Sequence, residues 1–376
     1  MKKVLHWCKT NIIFSIVVII AAISCIIVPI DMAYLDYIEW DTISSIFSIL
    51  LIVACLENID FFQKIARAII KKFKTTRSII IVLIMITYFS ALINANDMAL
   101  LTFLPLSYLV LSYTNNLDYL AFTFVMQNIA SNLGGMITPI GNPQNIYLFS
   151  FYDIGLIEFF KIMALPTLFS FVLIASTFLF IKKTPIVYDD NYDTKINMKK
   201  LLVYLGLFVL TFLTVCKIVP FLISLPIVVV TALVVDRKSF TKVDYTIPLT
   251  FCAFFIFSGN MARVPLVIDL MTSFVDQHTF LTAYLSCQLI SNVPTAILLS
   301  KFTGNYAQLL VSVNVASLGI IFSSLSGLIA LKMYVKHRPE HIKNATWKYV
   351  GIDFLFNIGM LIILYPATYF VTTLLF

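Results

Sequence analysis

Seven stretches of this chain, roughly residues 11–30, 43–58, 155–181, 201–219, 221–236, 245–260 and 349–376, are apolar enough to read as bilayer-crossing helices. About 20 such residues span the hydrocarbon core. The 376 residues are 60% hydrophobic and 12% charged, more apolar surface than one soluble core of this size can hide. The excess must face lipid. This excludes a soluble enzyme and a disordered chain. It also excludes a nucleic-acid-binding protein despite the net charge of +7, because the basic residues sit between apolar runs. The expected class is an all-α polytopic membrane protein. Run 11–30 is too long for a cleavable signal and ends in no small-residue cleavage site, so it reads as the first spanning helix.

Two further apolar stretches are interrupted. Residues 78–113 break at Asn94-Ala95-Asn96-Asp97, and residues 119–150 break at the run from Gly134 to Pro143. Irregular backbone at membrane depth is tolerated only where protein or a cavity surrounds it. Basic residues then set the orientation. They cluster at Lys2, Lys3 and Lys9, from Lys64 to Arg77, at Lys182 to Lys200, at Arg237 to Lys242, and from Lys332 to Lys348. Cytoplasmic loops carry such excess. Every cluster falls inside if 78–113 is a re-entrant hairpin with its tip at Asn96-Asp97, and 278–305 a second hairpin entering from outside, its tip near Ser291-Asn292. The expected count is nine crossings and two hairpins, with the N-terminus cytoplasmic and the C-terminus outside.

An internal repeat points the same way. Asp41–Asn58 parallels Asp244–Asn260, and each is followed by an amphipathic stretch (61–77; 262–277), a hairpin and a broken helix. Asn128-Ile-Ala-Ser131 echoes Asn314-Val-Ala-Ser317. The division is a first repeat over 1–182 (hairpin 78–113, broken helix 119–150) and a linker with an extra spanning helix over 183–220. A second, inverted repeat follows over 221–376 (hairpin 278–305, broken helix 306–334). Inverted repeats with discontinuous helices mark secondary transporters, whose sites lie at the midplane between the repeats.

Chemistry at the breaks follows from helix ends. Exposed amide ends attract anions and carbonyl ends attract cations, and an asparagine amide serves both. Substrate contacts are therefore expected from Asn96, Asp97, Thr138, Asn142, Ser291, Asn292, Ser323 and Ser324, and cation contacts from Asn96, Asp97, Gly141 and Asn292. An ionisable group in the membrane is functional by default; the alternative for Asp97 is a helix N-cap. The six cysteines have no metal-ligand spacing and read as buried small hydrophobes. The four histidines, His6, His278, His337 and His341, lie near segment ends. No catalytic constellation or metal centre emerges, which disfavours a membrane enzyme, and no cofactor is expected beyond a bound sodium ion.

Ala95-Asn96-Asp97 with Leu104-Pro105-Leu106, then Thr138-Pro-Ile-Gly-Asn-Pro-Gln-Asn145, then Ile290-Ser-Asn-Val-Pro-Thr295 resemble motifs of the ion transporter superfamily. That group includes divalent-anion/sodium symporters, citrate transporters, arsenite-pump membrane subunits and a sodium/proton antiporter branch. The chain is most similar to small bacterial inner-membrane members with the same loop. The resemblance implies a scaffold and a transport domain, a homodimer, and an elevator movement. In the dicarboxylate symporters each tip reads Ser-Asn-Thr, so Asn96, Ser291 and Asn292 carry over. The Asn96-Asp97 pair resembles the arsenite-pump and antiporter branches, and Ser323 to Gly327 lacks the family's proline. The expected function is cation-coupled transport of a small anion, a di- or tricarboxylate or an inorganic oxyanion. Sodium/proton antiport or arsenite efflux is the alternative. The expected partners are the anion, its coupling cation, the bilayer and a second copy of the chain, with no nucleic acid.

Overall fold

The computed structural model describes residues 12–38, 40–92, 96–186, 196–215, 218–275, 278–337 and 343–375. Asn94 and Ala95 of the first tip, the Asp189-Asp190-Asn191 linker, the lysines before residue 12, Lys195, Cys8, Cys216, His6 and His341 lie outside them. Among the described residues the regular structure is helical, apart from an isolated antiparallel bridge between Thr75 and Pro185.

The apolar runs each become a helix. They are α1 (Ile12–Ile27) and α2 (Trp40–Asn58), followed by the amphipathic α3 (Phe61–Lys72). Helix α3 buries Phe62, Ala66, Ile69 and Ile70, a 3.6-residue stripe, and turns Lys64, Lys71 and Lys72 outward. Helix α4 (Thr76–Ala91) starts at a capping box in which Thr75 and Ser78 exchange side-chain and backbone hydrogen bonds. Across the first polar break comes α5 (Asn96–Tyr113). The broken stretch that follows is α6 (Leu120–Gly135) and α7 (Pro143–Phe151), the latter opened by a proline whose missing N–H would have no helical partner anyway.

Next are α8 (Leu156–Thr177), α9 (Met198–Val215), α10 (Phe221–Asp236), α11 (Thr246–Met261) and the short α12 (Pro265–Val275). The second interrupted region repeats the pattern. Helices α13 (Thr279–Ile290) and α14 (Asn292–Leu299) meet at Ser291, and α15 (Tyr306–Val315) is separated from α16 (Leu325–His337) by an irregular stretch. Helix α17 (Ala345–Leu375) ends the chain. Leu156–Phe180 and Ala345–Leu375 are long and apolar enough to cross a membrane alone.

Packing divides these helices into two groups. One gathers α1, α2, α9, α10 and α11; the other gathers α4 to α8 with α13 to α17. The groups touch where α2 meets α5 and where α11 meets α14. Large apolar side chains such as Ile26, Leu222, Val234 and Leu289 are exposed on the outside, each above 70%. Polar groups gather inside instead, at the breaks of the second group. A soluble protein has the reverse arrangement.

Candidate functional site

The first tip is held from four sides. Asn96 opens α5; its backbone N–H donates to the Gly141 carbonyl at 2.9 Å, and its Oδ1 accepts the Asp97 N–H at 2.9 Å. Its Nδ2 donates to Asn132 Oδ1 at 2.8 Å and to Ser326 Oγ at 2.9 Å. Ser326 Oγ in turn donates to Asp97 Oδ1 at 2.6 Å. Asn96, Asp97, Asn132 and Ser326 thus form a buried cluster built from α5, α6 and the start of α16. The Asp97 carboxylate points to Ser326, and no backbone N–H among the described residues donates to it, so the N-cap expected as its alternative role is not seen. Asp97 is 4% exposed and has no basic ion-pair partner among the described residues.

The same network continues through the other predicted residues. Asn132 Nδ2 donates to Asn128 Oδ1 at 3.1 Å and to Ser324 Oγ at 3.4 Å, and Ser324 Oγ accepts the Gly327 N–H at 3.2 Å. Asn142 Nδ2 bridges to the Asn132 carbonyl at 3.1 Å and to Asn314 Oδ1 at 2.8 Å. Asn314 Nδ2 donates to Asn145 Oδ1 at 2.6 Å, while Asn145 Nδ2 caps the carbonyls of Gly135, Met136 and Thr138 at the frayed end of α6. Thr138 Oγ1 donates to the Leu92 carbonyl at 2.6 Å, and Ser323 Oγ to the Ser317 carbonyl at 2.8 Å. These two shape the breaks rather than joining the cluster. Gly141 uses its carbonyl on Asn96, which leaves one carbonyl lone pair.

Gly141 also sits where no side chain fits. A Cβ there would collide with the Gly135 carbonyl oxygen and come within 2.8 Å of the Ala91 carbonyl oxygen, both backbone atoms. Gly141→Ala is therefore expected to destabilise the protein by about 1–3 kcal/mol, the range for overpacking a close-packed interior. Gly359→Ala, in the interior of α17 with nothing within 4 Å of its Cβ, is the unhindered comparison and is expected to hold or raise stability. Thermal unfolding of both variants in one detergent checks this; equal midpoints would show that the break yields.

The second tip repeats the first locally. Asn292 Oδ1 accepts the Val293 N–H at 2.9 Å, matching Asn96 and Asp97, so Val293 stands where the first tip carries its carboxylate. Ser291 Oγ donates to Asn292 Oδ1 at 3.2 Å. Ser291 has φ 73° and ψ 164°, a region essentially reserved for glycine and costing about 1–3 kcal/mol. The Asn292 Nδ2, in contrast to that of Asn96, has no hydrogen-bond partner among the described residues, although the residue is 3% exposed. Nearby, Gln288 Nε2 donates to the Ala316 and Leu318 carbonyls, and its Oε1 accepts the Ile320 N–H. It does for the second broken helix what Asn145 does for the first. No hydrogen bond joins the two tips among the described residues.

The structure therefore brings Asn96, Asp97, Asn142 and Ser324 into one network and places Ser291 and Asn292 at a separate tip. Asn132, Ser326, Asn145 and Gln288 carry contacts that the sequence did not assign to the site. Asn128 and Asn132, one helical turn apart in an apolar helix, were the available signal for a polar face.

The model of a family described as citrate transporter matches residues 4–327. An uncharacterized transporter of Methanocaldococcus jannaschii, MJ0456, is 31% identical over 302 residues, 79% of this chain and 81% of that protein. The inner membrane protein YbiR of Escherichia coli is 28% identical over 302 residues, 79% of this chain and 80% of its own.

Proposed function

The chain belongs to the citrate transporter family, a family of membrane transporters, and from that premise we propose that it moves a small anion across the cytoplasmic membrane, coupled to sodium or protons. The proposed topology has nine crossings and two re-entrant hairpins in two inverted repeats, with the N-terminus inside and the C-terminus outside. The protein works as a homodimer, by an elevator movement of the second helix group against the first.

The observation that supports this reading is the cluster of Asn96, Asp97, Asn132 and Ser326 at a meeting of helix ends. The N-terminal ends of α5, α7 and α16 converge there and offer amide dipoles to an anion. The carboxylate of Asp97 and the C-terminal end of α6 offer negative charge to a cation. Anion and cation can then sit side by side and bind only together. Sodium/proton antiport is the second reading, favoured by the absence of a basic partner for Asp97 among the described residues.

A thermal-shift series on the purified protein separates the two. Citrate, succinate, sulfate, phosphate and arsenite are each tested with and without sodium, at acid and neutral pH. A ligand at 100 times its Kd stabilises by about 2.7 kcal/mol. Stabilisation by one anion that grows with sodium or acid supports coupled anion transport. Stabilisation by sodium alone, with no response to any anion, supports antiport.

A further inference from the structure

Away from the polar cluster, the two helix groups enclose a cavity of about 380 Å³ lined by Glu57, Leu101, Pro105, Lys242, Asp244 and Lys332, among others. Leu101 and Pro105 lie one and two helical turns beyond Asp97 on the same face of α5. The cavity wall therefore continues the helix face that carries the buried carboxylate. Across this cavity runs one ion pair. Lys332 Nζ of α16 lies 2.6 Å from Asp244 Oδ2, just before α11, and also donates to Thr246 Oγ1. Asp244 is fixed at its own end, because its Oδ1 accepts the Thr246 N–H at 3.1 Å and the Thr246 hydroxyl at 2.7 Å. Partial burial works to raise the pKa of Asp244, but the Lys332 and Thr246 hydrogen bonds outweigh it and hold the carboxyl below its ordinary value.

We propose that the Asp244–Lys332 ion pair is a latch between the two groups of helices. Helix α16 belongs to the group that carries the polar cluster, and its Ser326 binds Asp97. Helix α11 belongs to the other group, packed on α1 and α2. The pair therefore spans the surface along which the groups would slide, and each displacement has to break it. The latch rests on the elevator reading. Its side chains are 29% and 40% exposed, so water and salt compete for both charges. A contact of this strength biases a moving part without freezing it. The comparison is Arg263, which grips Asp31 through two hydrogen bonds at 3.0 and 2.7 Å. Both of those residues belong to the first group, so that pair crosses no sliding surface.

The test needs no substrate, so it stands apart from the identity of the transported anion. Leu101→Cys is introduced into the full chain in lipid nanodiscs, and its labelling by a water-soluble maleimide is timed, less the labelling of the native cysteines. Asp244→Asn or Lys332→Gln is expected to speed labelling about two- to fivefold, the reach of a partly exposed ion pair. Combining Asp244→Lys with Lys332→Asp should return the rate toward the original, which a merely damaged fold would not do. Raising salt should speed labelling with the native pair and leave the neutral variants unchanged. Equal rates in all variants would overturn the latch, as would an equal rise with Arg263→Gln. A clear labelling response in a protein that none of the tested anions stabilises would sink the anion reading and leave standing the latch between two moving groups of helices.

Discussion

Asp97→Asn is expected to transport without responding to pH or to sodium, and to lose accumulation of the anion against its gradient. The substitution keeps the shape of the site. An asparagine Oδ1 can still accept the Ser326 hydroxyl now 2.6 Å from Asp97 Oδ1, and the Asn96 side chain still accepts the backbone N–H of residue 97. What changes is charge. A carboxylate that can bind a proton or a sodium ion becomes a group that binds neither firmly. Losing a charge-assisted contact of about 1.5–3 kcal/mol should weaken the coupling cation about 10- to 150-fold. The anion can still approach the amide ends of α5 and α16, so slow downhill exchange should persist. Proteoliposomes loaded with the anion that the thermal-shift series selects, assayed across a pH and sodium series, decide the matter. Identical dependence in wild type and variant would remove Asp97 from coupling. The role would then return to backbone carbonyls such as that of Gly141.

Much of the fold was legible because its elements are long and uniform. Each of the seven apolar runs is a helix, and the breaks fall where Asn, Asp, Gly and Pro concentrate, since those residues favour caps and turns over helix interiors. Helix α3 was legible too, because Phe62, Ala66, Ile69 and Ile70 mark one face while the lysines mark the other. The partners inside the site were not legible. Periodicity says that Asn128 and Asn132 share a face of α6, but not that Ser324, 192 positions from Asn132, closes on them. Likewise Asn142 finds Asn314 at a separation of 172 residues. Such pairings are set by how α6, α15 and α16 cross, and a single sequence holds no record of the crossing. Asp244 and Lys332 illustrate the same limit. In the sequence Asp244 marks the start of a repeated span and Lys332 one end of a basic cluster, and only the fold places them 2.6 Å apart.

Asn292→Leu should abolish anion binding while the fold survives. The side chain does two separable things. Its Oδ1 accepts the Val293 N–H and the Ser291 hydroxyl, and its Nδ2 donates to nothing among the described residues. Leucine removes both. Leaving the Val293 amide without its acceptor should lower stability by about 1–3 kcal/mol, a loss that still leaves a folded protein. The binding loss comes from the other atom. At the first tip the equivalent Nδ2 is already engaged by Asn132 and Ser326, so it is committed to structure. At the second tip the residue is 3% exposed and its donor is unengaged among the described residues, as a group reserved for a ligand would be. Asn292→Asp separates the two functions, because it keeps an oxygen for the Val293 N–H and replaces the donor by a negative charge. Size-exclusion chromatography, thermal shift with the selected anion and uptake should give the same answer for both variants: normal assembly, no anion-dependent stabilisation and no transport. If Asn292→Asp binds and transports normally, the free amide is not a ligand. The second tip would then contribute only the strained turn at Ser291, and the anion would have to be held by the helix ends around Asn96 alone.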